Sequence, residues 1–588
     1  MLSGMCHYVR KQTFGTSRER RRRVSGAAAV LGGALVCAII SPVAAQQSDL
    51  TRTHRWFETF QTDQRRAARA PAVPGQTMGP AKADTRPFTT LSAIVIEGAE
   101  HVPADLIAAT YQPFIGRRVS QADLVQITER ITALYRDRGY HLSRAIVPPQ
   151  DVVGNRILIK VIEGCITEVV LKGARAEQFG IRPLLAVVAS EDPSRRDTLE
   201  RQLLLANDIP GVRIADTAID EIGAGTGRFR LTVWAETWRI FTALDMDNRG
   251  TPAVGPLQSY LNANLNSAMI GGDTLGVNVS STPDDIRELA FGRLYYTAPV
   301  GDAGARITAS GSYGAIRPGD ERSVLDTRSW AETFELRGSV VPLRTREASL
   351  WLTGIGTIQE AFEGTAYDIS FRDHLRTVGL TVDYQQHDAL NGWNYLTFTV
   401  RQGIDLWGAS RRGDTLLSRD DGAGEFTKLE LAYTRYQPLS DVWSVKLSAF
   451  GQWASTGLLA VQELYLGSMF GRGYFGVELS GDNGFEAAAE LRFDQTLSSE
   501  ILKGYQLYGF LDGSMVWNFH SIDGAPLSLM LAGAGARLYL LQDLQVGVEA
   551  AVPIEYRVTV EPRPDPRLFF YVAKTFKLCP GSVQLRCS

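Results

Sequence analysis

The sequence predicts two structural classes in series, α+β domains first and a long antiparallel β region behind them. Three observations carry this. Between Phe88 and about Glu236 helical and strand patterns alternate on the scale of small domains. From about Trp238 the helical period disappears, and short runs of period-two alternation take over. Beyond the N-terminal segment no apolar run approaches the ~20 residues that a spanning helix needs. The rest of the chain is therefore either water-soluble or crosses a membrane as a closed β-barrel, the other architecture that pairs all of its backbone groups. Composition does not choose between these, but 588 residues are too many for one ordinary core.

Residues 1–45 read as a secretory signal peptide: Arg20 to Arg23 are basic, Ala27 to Ile40 are apolar, and Val43-Ala44-Ala45 form a cleavage site. Residues 46–87 follow as a helix and a linker. Leu50, Trp56, Phe57 and Phe60 give residues 49–70 a helical pattern, and the chain then turns rich in Ala, Pro and Gly. After cleavage only Cys165, Cys579 and Cys587 remain, too few for a disulfide framework. Cys579 and Cys587 are near enough in sequence to pair in an oxidising compartment, and whether they do stays open. Cys165 is expected to be a buried or free thiol.

Residues 88–165 carry the order β-α-α-β-β. Ala93 to Gly98 form a short strand, Leu106 to Tyr111 a short helix, and Ser120 with Asp123 a capping box that opens a longer helix. Leu124, Ile127, Ile131 and Leu134 mark that helix, and Gly139 stops it. Ala145–Val147 and Ile157–Gly164 are strands around the turn Gly154-Asn155. This order, with Tyr135, Arg138-Gly139-Tyr140, Pro148 to Asp151 and Glu163-Gly164, resembles a POTRA domain of the ShlB type. Residues 166–237 contain a more divergent copy, in which Arg201 to Val212 resembles the second POTRA of two-partner-secretion transporters.

In residues 238–576, Leu275, Val277 and Val279 alternate with Gly276, Asn278 and Ser280, and Leu396, Phe398 and Val400 with Thr397, Thr399 and Arg401. One apolar face at period two fits a membrane barrel and a soluble sandwich equally. At ~9 to 11 residues per tilted strand, sixteen strands would use about half of this length, and fourteen or eighteen would fit as well.

Gly471-Arg472-Gly473-Tyr474, followed by Asp512 within Tyr508-Gly509-Phe510-Leu511-Asp512, is the most specific signal. It resembles the Val-Arg-Gly-Tyr element of the Omp85 superfamily, a loop around 465–480 that re-enters a barrel so that its arginine meets a wall carboxylate. Asp245 to Gly250, Gly271-Gly272-Asp273, Glu463 to Gly467, Gly481 to Gly484 and Glu490-Leu491 extend the likeness to TpsB transporters, those of the haemolysin-secretion and filamentous-haemagglutinin (ShlB/FhaC/HecB) type. The resemblance implies α+β periplasmic POTRA domains followed by a transmembrane antiparallel β-barrel of sixteen strands in the outer membrane of a Gram-negative bacterium.

Arg472 is then the loop cation, Asp512 and Phe510 its partners on the wall, and Gly471, Gly473 and Tyr474 the rest of the tip. A guanidinium fork can engage one carboxylate twice. In a wet lumen such a pair contributes ~0 to 1 kcal/mol, whereas breaking it in a dry one costs ~3 to 5 kcal/mol. A lone pair also implies that reversing both charges restores some export. Two departures stand out: Gly471 replaces the usual valine, and Gly513 comes one place early.

The implied function is export of an unfolded TpsA-like partner, an adhesin or cytolysin, recognised by the POTRA domains through exposed sheet edges. The alternative is an Omp85-type assembly and insertion factor, which usually carries more POTRAs. Outer-membrane lipid and the barrel-assembly machinery are the other implied partners, the latter reading the terminal strand at Phe576 ahead of the tail 577–588. Residues 49–70 match the helix that plugs the pore in relatives, with a periplasmic helix as the alternative.

Nucleic acid is excluded because basic residues beyond the N-terminus are dispersed. The seven histidines show no metal-site spacing. Gly223 to Gly227 lack the Gly-Lys-Ser/Thr ending of a phosphate loop. No catalytic residue, metal or cofactor is expected, and the chain is not expected to be an enzyme.

Overall fold

A computed structural model describes residues 49–55, 57, 83–251, 253–467, 470, 472, 479–519, 526–557 and 565–578. The signal segment, most of the linker, Gly471, Gly473, Tyr474, Cys579, Cys587 and the rest of the tail lie outside the described residues, as does the remainder of the expected helix up to residue 70.

The first domain follows from its caps and turns. Strand β1 (Ala93–Glu97) leads to α2 (Ala104–Tyr111) and α3 (Gln121–Asp137); α1 is the helical segment at residues 49–55 and 57. Ser120 and Asp123 close a reciprocal capping box at the start of α3, and Gly139 adopts φ 92° just beyond its end. β2 (Arg144–Ile146) and β3 (Arg156–Ile162) form a hairpin whose turn places Gly154 and Asn155 at positive φ. The sheet order is β1-β3-β2, with β1 and β3 parallel. Ile127, Ile131 and Tyr135 of α3 bury against Ile157 and Ile159 of β3.

The second domain repeats the plan. β4 (Cys165–Lys172), α4 (Ile181–Ala189), α5 (Arg196–Asn207), β5 (Val212–Glu221) and β6 (Arg228–Thr237) give a sheet β4-β6-β5. Helix α4 and strand β5 were not expected from the sequence, although α4 buries Ile181, Leu184, Leu185 and Val188 at the i, i+3, i+4, i+7 spacing of an amphipathic helix. Cys165 is a free, half-buried thiol on β4. Gly223 to Gly227 form the turn between β5 and β6, with Gly223, Gly225 and Gly227 at positive φ. Between the domains Arg144 meets Glu221 at 2.7 Å, Arg195 lies over the Tyr140 ring, and Arg196 N donates to the Gly139 carbonyl. His141 sits in this junction, where burial and the Arg196 cation push its pKa down to about 4.

From β7 (Ile240–Asp247) to β22 (Arg567–Leu578) sixteen strands pair antiparallel with their neighbours, and β22 pairs with β7 to close the barrel. The strand count is the one implied by the resemblance. Polarity is inverted relative to a soluble core. On β9 (Thr274–Ser281) Val277 and Val279 are 38% and 41% exposed, whereas Asn278 and Ser280 are 0% and 1% exposed. Apolar residues face lipid and polar ones the interior, as a membrane barrel requires. On β22 the exposed Leu568, Phe570 and Val572 set the outward face. Lys574 and Phe576 share that parity, with the Lys574 ammonium 5.3 Å from the Phe576 ring centroid. The strand continues to Leu578, two residues past the boundary expected at Phe576.

The second domain is fastened to the barrel. Arg344, at the end of β12 (Arg328–Arg344), holds Asp208 through two hydrogen bonds of 2.7 Å. Gly180 and Gly271 approach so closely that a Cβ on Gly180 would stand 2.6 Å from the Gly271 carbonyl oxygen, so both positions need glycine.

Candidate functional site

Four strands of one wall build the site. On β19 (Leu502–Trp517) the period-two alternation turns Gln506, Tyr508, Phe510, Asp512 and Ser514 inward and Leu507, Gly509 and Leu511 outward. Gly513 takes the outward parity with nothing within 4 Å of its Cβ position, so its displaced spacing leaves the interior geometry untouched. β18 (Asn483–Thr496), β20 (Leu527–Leu540) and β21 (Leu544–Arg557) contribute Glu490, Arg537 and Glu549.

The loop between β17 (Trp443–Ala454) and β18 brings Phe470 and Arg472 into this interior. Its root is held by Arg419, which contacts Glu463 and Asp482, both at 2.6 Å. Phe470 packs with Leu464, Leu466, Phe510 and Leu531.

Arg472 meets Asp512 with Nε and Nη2, both at 3.1 Å, which is the fork expected from the sequence. Its guanidinium carbon lies 3.7 Å from the Phe510 ring centroid, so Phe510 serves as a stacking floor. Two partners were not expected: Nη1 donates to Glu490 at 2.9 Å and to Glu549 at 3.2 Å. The cation therefore faces three carboxylates.

Further arginines balance this cluster. Arg537 and Arg492 donate to Glu490 at 3.0 and 2.6 Å, and Arg249 donates to Glu549 at 2.8 Å. Tyr508 donates to Glu549 at 2.8 Å while its ring carries the Arg537 guanidinium at 3.9 Å. Asp512 is 1% and Glu549 2% exposed. This is the water-poor limit, in which losing a partner costs most. Glycines make room for the ring: a Cβ on Gly533 would stand 2.2 Å from the Phe510 ring.

The described part of α1 lies against the inner wall elsewhere. Phe57 stacks on Phe291 at 5.8 Å and meets Tyr260 edge-on at 6.1 Å. Leu50 packs with Ala253, Val254, Leu289 and Ile316. Arg52 donates to the Arg249 carbonyl and to Gln258, both at 2.6 Å, and Thr251 donates to Asp49 at 2.9 Å. Gln258 and Tyr260 are inward residues of β8 (Gln258–Asn266), buried at 0% and 3% exposure. The helix thus occupies the barrel interior.

Among the described residues no group of three His, Cys, Asp or Glu side chains could hold a metal ion. The site is a buried ionic network that joins a loop to a wall.

Comparison with known proteins gives two family matches. Residues 89–164 match the POTRA domain of ShlB type, and residues 228–539 match the haemolysin secretion/activation protein ShlB/FhaC/HecB. Among curated relatives, the heme/hemopexin transporter protein HuxB of Haemophilus influenzae is 21% identical over 471 residues, covering 78% of this chain and 82% of that protein. The outer membrane transporter CdiB of Escherichia coli is 25% identical over 475 residues, covering 77% and 76%. Among solved structures, CdiB from Escherichia coli superposes with a TM-score of 0.70 at 20% identity, covering 91% of this chain and 98% of that one. CdiB from Acinetobacter baumannii superposes with a TM-score of 0.63 at 17% identity.

Proposed function

Since the chain belongs to the haemolysin secretion/activation family ShlB/FhaC/HecB, we propose a route by which its barrel passes a TpsA-like exoprotein. The protein is an outer-membrane translocator of two-partner secretion with POTRA structure on the periplasmic side. The second α+β domain is read as a second POTRA, because its order and sheet plan repeat those of the first.

Two elements obstruct the interior, α1 and the Arg472 loop, and each joins apolar packing, at Leu50 and Phe57 or at Phe470, to polar contacts that water or a passing chain can replace. The partner, unfolded in the periplasm, adds a strand at a sheet edge of the two domains, where β1, β2, β4 and β5 occupy edge positions. Docking there displaces α1, release of Arg472 from Asp512, Glu490 and Glu549 clears the passage, and its return to that seat completes one export cycle, so a loop that cannot reseat leaves secretion impaired. Adhesin-like or cytolysin-like cargo fits this route, with lipid around the barrel and assembly machinery reading β22. Gly223 to Gly227 lack the ending of a phosphate loop, and folding of the partner outside the cell supplies the drive.

The observation that carries this reading is the seating of Arg472 in a carboxylate cluster on the inner wall. It is tested by co-expressing the chain with its partner and comparing secreted partner for the native protein, Asp512→Asn and a deletion of residues 46–57, with folded barrel monitored by heat-modifiable gel migration. Secretion reduced by Asp512→Asn while the barrel stays folded supports the reading. Native secretion from both variants removes it.

A further inference from the structure

Glu549 stands between the two obstructions. Its Oε2 accepts from Arg472 of the loop at 3.2 Å and from Tyr508 at 2.8 Å, while its Oε1 accepts from Arg249 at 2.8 Å. Arg249 lies just beyond β7, where its backbone N–H bonds Asp247 and its guanidinium rests on the Phe569 ring at 4.5 Å. The carbonyl of the same residue accepts the Arg52 guanidinium of α1 at 2.6 Å. One carboxylate thus fixes the loop tip directly and the helix through one intervening residue. The contacts of Asp512 and Glu490 described above run to the loop and to neighbouring wall side chains.

We propose that Glu549 is a positioning residue that seats both obstructions at once, so that disturbing it loosens helix and loop together, whereas disturbing Asp512 loosens the loop alone. The physical basis is the cost of leaving a buried cation without its anion. Without the Glu549 charge, Arg249 loses its carboxylate partner, its guanidinium turns toward water, and its carbonyl leaves the position that Arg52 requires. Arg472 loses one of three carboxylates and is weakened less. The proposal rests on the reading of α1 and the loop as pore obstructions.

Two single-cysteine reporters test it in the full-length protein, with its five native cysteines replaced by serine: Leu50→Cys on the helix and Phe470→Cys on the loop. Labelling rates with a small maleimide are compared for the native site, Asp512→Asn and Glu549→Gln. In Glu549→Gln both reporters are expected to react about tenfold faster, the scale of an ordinary coupling free energy. In Asp512→Asn only the loop reporter accelerates. A helix reporter unmoved by Glu549→Gln, or moved equally by Asp512→Asn, overturns the proposal.

If Glu549→Gln does not assemble, Arg249→Gln cuts the same connection from its other end. It must release the helix reporter and spare the loop reporter, and a helix reporter that stays protected there overturns the proposal too. Planar-bilayer conductance separates the two levels of the account. Reporters that respond as expected beside an unchanged conductance leave the shared seat standing and remove the reading of α1 as a plug.

Discussion

Reversing both Arg472 and Asp512 is expected to fail as a rescue. In a lone pair the exchange returns one attraction for one lost. Here Arg472→Asp also places a carboxylate where Glu490 and Glu549 lie 2.9 and 3.2 Å from the native guanidinium. Each such pair changes from attraction to repulsion, and at an effective dielectric of ~20 and ~4 Å separation each term is about 4 kcal/mol before screening. Arg249, Arg492 and Arg537 absorb part of this, and the side chain at 472 can turn away. A residual of even ~3 kcal/mol moves the seated fraction by about two orders of magnitude. Secreted partner is measured beside folded barrel for Arg472→Asp, Asp512→Arg and the pair. The expected order is native well above all three, with the double reversal no better than Arg472→Asp. Recovery of the double variant to near-native secretion would refute the three-carboxylate account and restore the simple pair.

Gly533→Ala should drive the Phe510 ring off its shelf, since its Cβ would also stand 2.3 Å from the Ala550 carbonyl oxygen; overpacking of this kind costs ~1 to 3 kcal/mol, read as a lower midpoint of heat modification. Arg344→Ala should free the second domain from the barrel, broadening the distance distribution between spin labels on α5 and β12 by pulsed electron resonance. The junction of the two domains should weaken on acidification. His141, with its pKa down at about 4, binds its proton later in the folded state than in the unfolded one, near 6.5. The unfolded state then holds more protons between those values, so stability present above about pH 6.5 is lost as pH falls toward 4. Protection of residues 140–165 against hydrogen exchange, taken relative to the intrinsic rate at each pH, should fall over that window in the whole protein, and His141→Leu should flatten the response.

Local periodicity made much of this architecture readable. Ser120, Asp123 and Gly139 announced α3, and Asn278 between Val277 and Val279 announced a two-faced strand, leaving open whether lipid or a soluble core lay against its apolar face. The loop around Arg472 and its meeting with Asp512 and Phe510 came from the resemblance, since the tetrapeptide alone reads equally as a turn. Glu490 and Glu549 were not separable from the other inward carboxylates, because parity says which face a residue takes and not which residues meet across a closed interior. That meeting depends on strand stagger, which bulges such as the one between Met530 and Leu531 adjust. Arg249 stood within a recognised stretch, but its bond to a residue 300 positions away has no local signal. Strand count was also beyond periodicity and came from resemblance, since length alone allowed fourteen to eighteen.

The most direct test of the central claim is to trap the partner in passage. Photo-crosslinking residues are placed at inward positions 258, 490 and 506 and at outward positions 277, 279 and 491, and a partner stalled by a folded C-terminal fusion is expressed. Export through the interior predicts crosslinks to the partner from the inward set and none from the outward set. Crosslinks confined to the outward set, or appearing equally with unrelated barrel proteins, would contradict export and indicate an insertion factor.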